Sequence, residues 1–148
     1  MIAFLCAAIA TSPLPLLAQP LSYPTGVAAY DEGVLVADSG NTRIVEWQRV
    51  GGVWTQVAQF AGQASGVFLS PSGIALTSGQ AFSGASSVSA WRKTGDWWIR
   101  LDTIGSEGSG PNQLSSPKKA ILGPDGTMYI ADTGNNRVSV WDVEACHV

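Results

Sequence analysis

A fifteen-residue pattern occurs twice in this chain, and that duplication constrains the fold more than any other feature. Residues 33–47 read Gly-Val-Leu-Val-Ala-Asp-Ser-Gly-Asn-Thr-Arg-Ile-Val-Glu-Trp, and residues 127–141 read Thr-Met-Tyr-Ile-Ala-Asp-Thr-Gly-Asn-Asn-Arg-Val-Ser-Val-Trp. Asp38 and Asp132, Gly40 and Gly134, Asn41 and Asn135, Arg43 and Arg137, and Trp47 and Trp141 all match at a separation of 94. A worn third copy lies between them. Val88-Ser-Ala-Trp91 follows Ile44-Val-Glu-Trp47 at a spacing of 44, and Gly66-Val67 follows Gly26-Val27 at 40. Three units of this period point to a repeat architecture whose copies stack on one another, and the period suits the blades of a propeller.

Each unit parses into short strands punctuated by turn residues. The first reads as Gly26–Tyr30, Val34–Asp38, Ile44–Arg49 and Val53–Phe60. The second reads as Gly66–Ser70, Ile74–Thr77, Ser87–Arg92 and Trp97–Ile104. The third reads as Lys119–Leu122, Thr127–Ala131 and Val138–Trp141. Runs such as Val34-Leu-Val-Ala are apolar on both faces, as strands between neighbouring blades must be. The expectation is an all-β chain of about three blades of four antiparallel strands, near residues 23–62, 63–105 and 114–142. The last blade is incomplete, so the arc is open.

The carriers Asp38-Ser-Gly-Asn-Thr-Arg43 and Tyr129-Ile-Ala-Asp-Thr-Gly-Asn-Asn-Arg-Val138 resemble the NHL-repeat family of β-propellers. Gly110-Pro-Asn-Gln-Leu-Ser-Ser-Pro117 and Gly123-Pro-Asp-Gly126 strengthen the likeness, which spans roughly residues 23–142. The middle unit departs from it: Gly79 stands near the expected Asp, and Ser87 replaces the Arg.

The motif reads as structural. Gly40 and Gly134 are expected to take positive φ in the turn between second and third strands. Asp38 and Asp132 are expected to accept backbone N–H bonds across that turn. Arg43 and Arg137 can pair with a carboxylate or with carbonyls of the next blade. Trp47, Trp91 and Trp141 read as anchors between blades, as do Trp54, Trp97 and Trp98. The resemblance implies that the turn after strand two frames a central funnel. Asp38, Asn41, Asn112, Lys118, Asp132 and Asn135 are therefore the rim residues for a ligand, because loops on rigid scaffolds carry function.

Several function classes are disfavoured. The net charge is −3 with only 8 Lys and Arg, which does not make the positive surface that tracks nucleic-acid phosphates. Family relatives include lyases that depend on His residues and a metal, whereas this chain has 1 His, His147. No cofactor, metal site or catalytic residue is assigned on that count. Asp31-Glu32-Gly33 and Pro124-Asp125-Gly126 read as hairpin turns, not as acid–base pairs.

Residues 1–18 carry no charge and contain Pro13 and Pro15. They read as a secretory signal peptide ending at Ala18 rather than a spanning helix, which places residues 19–148 outside the cytoplasm. Cys6 leaves with that leader, and Cys146 reads as an unpaired tail thiol. Propellers close with four to eight blades. Three are completed either by further blades of a longer product, the preferred reading, or by pairing of two chains. The expected role is a non-catalytic binding or scaffold module for a protein, peptide or glycan. The alternative is a piece of a propeller lyase or hydrolase whose catalytic residues lie in other blades.

Overall fold

The computed structural model describes residues 20–31, 33–62, 64–80 and 85–142. The proposed leader, Cys6, Glu32, Cys146 and His147 lie outside these. Strands β1 (Pro24–Tyr30), β2 (Gly33–Asp38), β3 (Arg43–Val50) and β4 (Val53–Ala61) form one antiparallel sheet in sequential order. Strands β5 (Gly66–Leu69), β6 (Ile74–Gln80), β7 (Ser86–Thr94) and β8 (Trp97–Ile104) form a second of the same topology. After β9 (Ser106–Glu107) and β10 (Gln113–Leu114), a short parallel pair, come β11 (Lys119–Leu122), β12 (Met128–Asp132) and β13 (Arg137–Trp141). These last three make the third sheet, antiparallel and, among the described residues, three-stranded.

Local chemistry explains the hairpins. Gly51-Gly52, both at positive φ (59° and 82°), joins β3 to β4 in a two-residue loop. Gly95-Asp96 does the same for β7 and β8, with Gly95 at 60°. Such loops need left-handed backbone to match the strand twist. The parallel pair β9–β10, within the connection from second to third sheet, has no counterpart in the strand pattern read from sequence.

The first strands neighbour one another, β1 beside β5 and β5 beside β11. Gly66 lies where these strands converge, since a Cβ there would fall 2.2 Å from the Lys118 carbonyl oxygen. The sheets then pack face to face. Leu35, Ala37 and Ile44 of the first meet Val67, Ala75 and Trp91 of the second, with Phe60 and Trp98 at the outer end. Leu76, Val88 and Ala90 of the second meet Ala120, Met128 and Ile130 of the third, with Leu114 and Trp141 alongside. Each sheet thus has a trailing face turned to its successor and a leading face turned to its predecessor.

The repeat makes these faces comparable position by position. On trailing faces, Leu35 and Ile44 of the first sheet correspond to Leu76 and Val88 of the second, and all four are buried. Their counterparts in the third sheet are Tyr129 and Val138, and both are exposed. Beside them Val140 is 63% exposed, and Ile121 is exposed as well. On leading faces, Val67 and Ala120 are buried, whereas their counterpart Val27 is 61% exposed.

Candidate functional site

Two Asp corners dominate the polar architecture. Asp38 ends β2, and a single turn of 3-10 helix (Ser39–Asn41) leads into β3. Asp132 ends β12 and is followed by the same device at Thr133–Asn135. Asp38 Oδ1 accepts the Ser22 backbone N–H at 2.6 Å, while Oδ2 accepts Asn41 Nδ2 at 2.8 Å and Arg43 Nε at 2.7 Å. Asp132 repeats the set with Ser115 N at 2.7 Å, Asn135 Nδ2 at 2.8 Å and Arg137 Nε at 2.8 Å.

These clasps correct two details of the sequence reading. The backbone N–H that each carboxylate accepts comes from the segment that precedes the sheet's first strand, and the bonds across its own turn come from side chains instead. Positive φ falls two residues later, at Thr42 (51°) and Asn136 (52°), not at Gly40 or Gly134. Those glycines serve close approach. Gly40 N donates to the Ser22 carbonyl at 2.7 Å, and Gly134 N to the Ser115 carbonyl at 2.8 Å. A Cβ on either would lie 2.7 Å from that same oxygen.

Both aspartates are fully buried. Burial pushes the Asp38 carboxyl up, but hydrogen bonds from Asn41, Ser22 and Arg43 and the guanidinium charge outweigh it, so the pKa falls below the ordinary value. Asp132 has the same balance, its bonds coming from Ser115, Asn135 and Arg137. The arginines differ in setting. Arg43 is buried and also bonds Gln59 Oε1 at 2.8 Å. Arg137 is exposed and holds the carbonyls of Ser109 (3.0 Å), Gly110 (3.2 Å) and Gln113 (2.7 Å).

A second buried carboxylate joins two sheets. Glu46 on the first accepts Lys93 Nζ at 2.6 Å and Trp98 Nε1 at 2.8 Å from the second. Tyr30 and Gln48 donate to it from its own sheet. Its pKa is lowered, because these donors and the lysine charge overcome desolvation. Desolvation first, and then the bond to Glu46, push the Tyr30 phenol up to about 12. The corresponding positions in the other sheets are Ala90 and Val140, so repeat comparison gave no hint of this network.

The sequence-derived rim residues therefore fall into separate groups. Asp38 and Asn41 belong to the first clasp, Asp132 and Asn135 to the second, and Asn135 also donates to the Gly108 carbonyl. Asn112, at φ 59°, lines a groove of about 340 Å³ beside Arg137. Lys118 is exposed, and its backbone N–H bonds Ala131.

The tryptophans divide too. Trp91 is buried between sheets and donates to Thr77 Oγ1 at 3.0 Å; Trp141 packs, half-buried, against the second interface. Trp47 is buried on the leading face of the first sheet, opposite Val34. Trp98 stacks on Phe60 with ring centroids 5.4 Å apart. Trp54 is half-buried, outside both interface clusters. Trp97 is not an anchor between blades. It is 77% exposed, because alternation along β8 turns it outward once its neighbour Trp98 points in.

Trp97 instead walls a groove of about 520 Å³, with Asp96 and Trp98 on one side and Gln56 to Phe60 of β4 on the other. The volume lies in the range of small-ligand sites. Among the described residues there is no group of three or more His, Cys, Asp or Glu placed to hold a metal ion. No helix among them is long and apolar enough to cross a membrane.

No family model matches the chain, and no curated protein does. Solved structures do. A candidate 6-phosphogluconolactonase from Bacteroides uniformis aligns over 84% of this chain with a TM-score of 0.64 and 12% identity. A protein from Lactobacillus plantarum aligns over 80% with a TM-score of 0.58 and 19% identity. The chain spans 37% of the length of each. At such identities the likeness is one of fold, and it makes this chain an all-β, propeller-type arc of antiparallel blades.

Proposed function

We propose that the chain is part of an exported, NHL-type propeller module whose role is recognition of a protein, peptide or glycan, without catalysis by these blades. The two Asp-x-Gly-Asn-x-Arg corners support the family reading, and the apolar run of residues 2–10 supports export. One observation carries the recognition role. The buried carboxylates Asp38, Glu46 and Asp132 are engaged in structural bonds, whereas Asp96 and Trp97 face solvent at the mouth of the groove between the first two sheets. An exposed indole beside a carboxylate and side-chain amides offers an apolar face with polar groups around it, the composition of a binding site.

The test is binding of the purified chain to printed neutral glycans and to peptide arrays, repeated with Trp97→Ala and Asp96→Asn. Support is a ligand whose affinity falls about tenfold or more in Trp97→Ala, as for an aromatic hot spot. Absence of binding on both arrays, or binding indifferent to Trp97, rejects the reading.

A second reading is a piece of a propeller hydrolase, favoured by the name of the Bacteroides uniformis structure, a candidate lactonase. In that case the reacting groups belong to further blades. Hydrolysis of 6-phosphogluconolactone by a product that carries these blades together with the further ones, followed as acid release, would support it; a rate equal to that of buffer would remove it.

A further inference from the structure

We propose that the groove between the first two sheets takes an extended peptide, which adds as a further strand along the outer edge of β4 and sets a lysine or arginine side chain against Asp96 beside Trp97. The inference rests on the recognition role proposed above and names its partner. β4 is the last strand of its sheet, and no backbone hydrogen bond among the described residues reaches its outer side. With the first strands β1, β5 and β11 side by side, β4 lies at the periphery of the arc. The groove follows that edge and not a face. Phe60 packs towards the second sheet, while its neighbour Gln59 turns the other way to meet Arg43. Alternation puts the two on opposite faces, yet both line the groove, together with Gln56, Val57 and Ala58. Successive residues of an open edge offer N–H donors and C=O acceptors that recur about every 7 Å. An extended peptide carries the same groups at the same spacing, and an oligosaccharide does not.

The outer edge of β8 is defended, and that of β4 is open. Both strands carry a bulge at the equivalent place. In β8 the residues flanking it are Arg100 and Asp102, whereas in β4 they are Gln56 and Ala58. The 9 residues Val53–Ala61 include no charge and no proline, the devices with which natural edge strands refuse a partner. The opposite wall selects the side chains that the peptide brings. Trp97 offers an exposed indole to an apolar or cationic group. Asp96 is the one charged side chain among the described residues lining the groove. The cations on the adjoining strands, Lys93 and Arg43, are taken up by Glu46 and Asp38, so a basic residue of the peptide has Asp96 to itself. The net charge of −3 acts in the same sense.

The test selects phage-displayed random nonapeptides on the purified chain and remakes the tightest binder with each backbone amide N-methylated in turn. Enriched sequences are expected to carry Lys or Arg. N-methylation at every second amide is expected to weaken binding about fivefold or more, one hydrogen bond being lost each time, while the intervening amides tolerate it. Asp96→Asn is expected to abolish the preference for the basic peptide over its alanine-substituted form. Peptides that need Trp97 but show no alternation overturn strand addition and leave the recognition role standing. So does a chain that binds glycans through Trp97 and no peptide. A preference for the basic residue that survives in Asp96→Asn overturns the pairing with Asp96. Absence of any ligand, peptide or glycan, rejects the recognition role and this inference together.

Discussion

The indole N–H of Trp98 donates to Glu46 Oε2 at 2.8 Å, and with it the second sheet inserts a polar contact into a mainly apolar joint. Glu46 is fully buried, and Lys93 completes the bond set from the same side. Glu46→Ala leaves the half-buried Trp98 and Tyr30 donors short of an acceptor, at a cost of about 2 kcal/mol. Lys93 is partly exposed and can return to water, which limits the loss. Urea unfolding followed by tryptophan emission reads the change, and Lys93→Ala is expected to cost less than Glu46→Ala.

Acid is expected to loosen the fold. Glu46, Asp38 and Asp132 all have folded pKa values below their ordinary ones. As pH falls, the unfolded chain therefore binds protons first. The stabilisation from these groups is full above about pH 5 and is lost as pH drops through the folded values. Thermal midpoints measured from pH 7 down to pH 3 should decline along this course, and Glu46→Gln should show a shallower decline than the parent.

The two Asp corners should respond unequally to the same substitution. Asp38→Ala strands a guanidinium whose side chain is only 9% exposed, whereas Arg137 beside Asp132 is 38% exposed. Stranding a buried charge costs about 3 kcal/mol, and an exposed one about 1 kcal/mol. Chemical denaturation of Asp38→Ala and Asp132→Ala checks the order. Equal losses would mean that the shared bonds to Ser22 and Ser115, not the arginines, set the cost.

Thr42 and Asn136 occupy the same place in the repeat, both left-handed. A β-branched residue resists that backbone, and asparagine accepts it. Thr42→Asn should therefore stabilise the protein by about 0.5 kcal/mol, visible as a rise of a few degrees in the melting temperature. Asn136→Thr should lose a similar amount. The Thr42 hydroxyl has no bond among the described contacts to offset the gain.

Gly134→Ala should destabilise although the residue has ordinary φ. Its Cβ would press on the Ser115 carbonyl, an atom held by its own bond to the Gly134 N–H. A loss of about 2 kcal/mol is expected, as for overpacking against a rigid neighbour. Lys118→Ala, at an exposed side chain, should stay within about 0.5 kcal/mol. Melting curves for the pair give the comparison.

Strand placement was legible because the repeat supplies two copies of each signal: near-continuous apolar runs locate β2 and β12, and Gly-Gly or Gly-Asp marks the hairpins. The Asp corners were legible as corners but not in their wiring. A carboxylate two strands from Ser22 gives no local sign that it will reach there. Glycine has two uses, and sequence alone led to the wrong one at Gly40 and Gly134. Trp97 and Trp98 look identical in sequence, yet strand pleat turns one to solvent and one to Glu46. The Glu46 network was hidden because it occurs in one unit only, where repeat comparison averages it away.

Each Asp clasp ties a sheet's entry segment to a corner of that same sheet, Ser22 to Asp38 and Ser115 to Asp132. Such a unit is knotted to itself before it meets a neighbour. A gene segment encoding it can be duplicated, inserted or removed in whole copies without severing the bonds that shape it, and only the apolar seams between copies need to be matched anew.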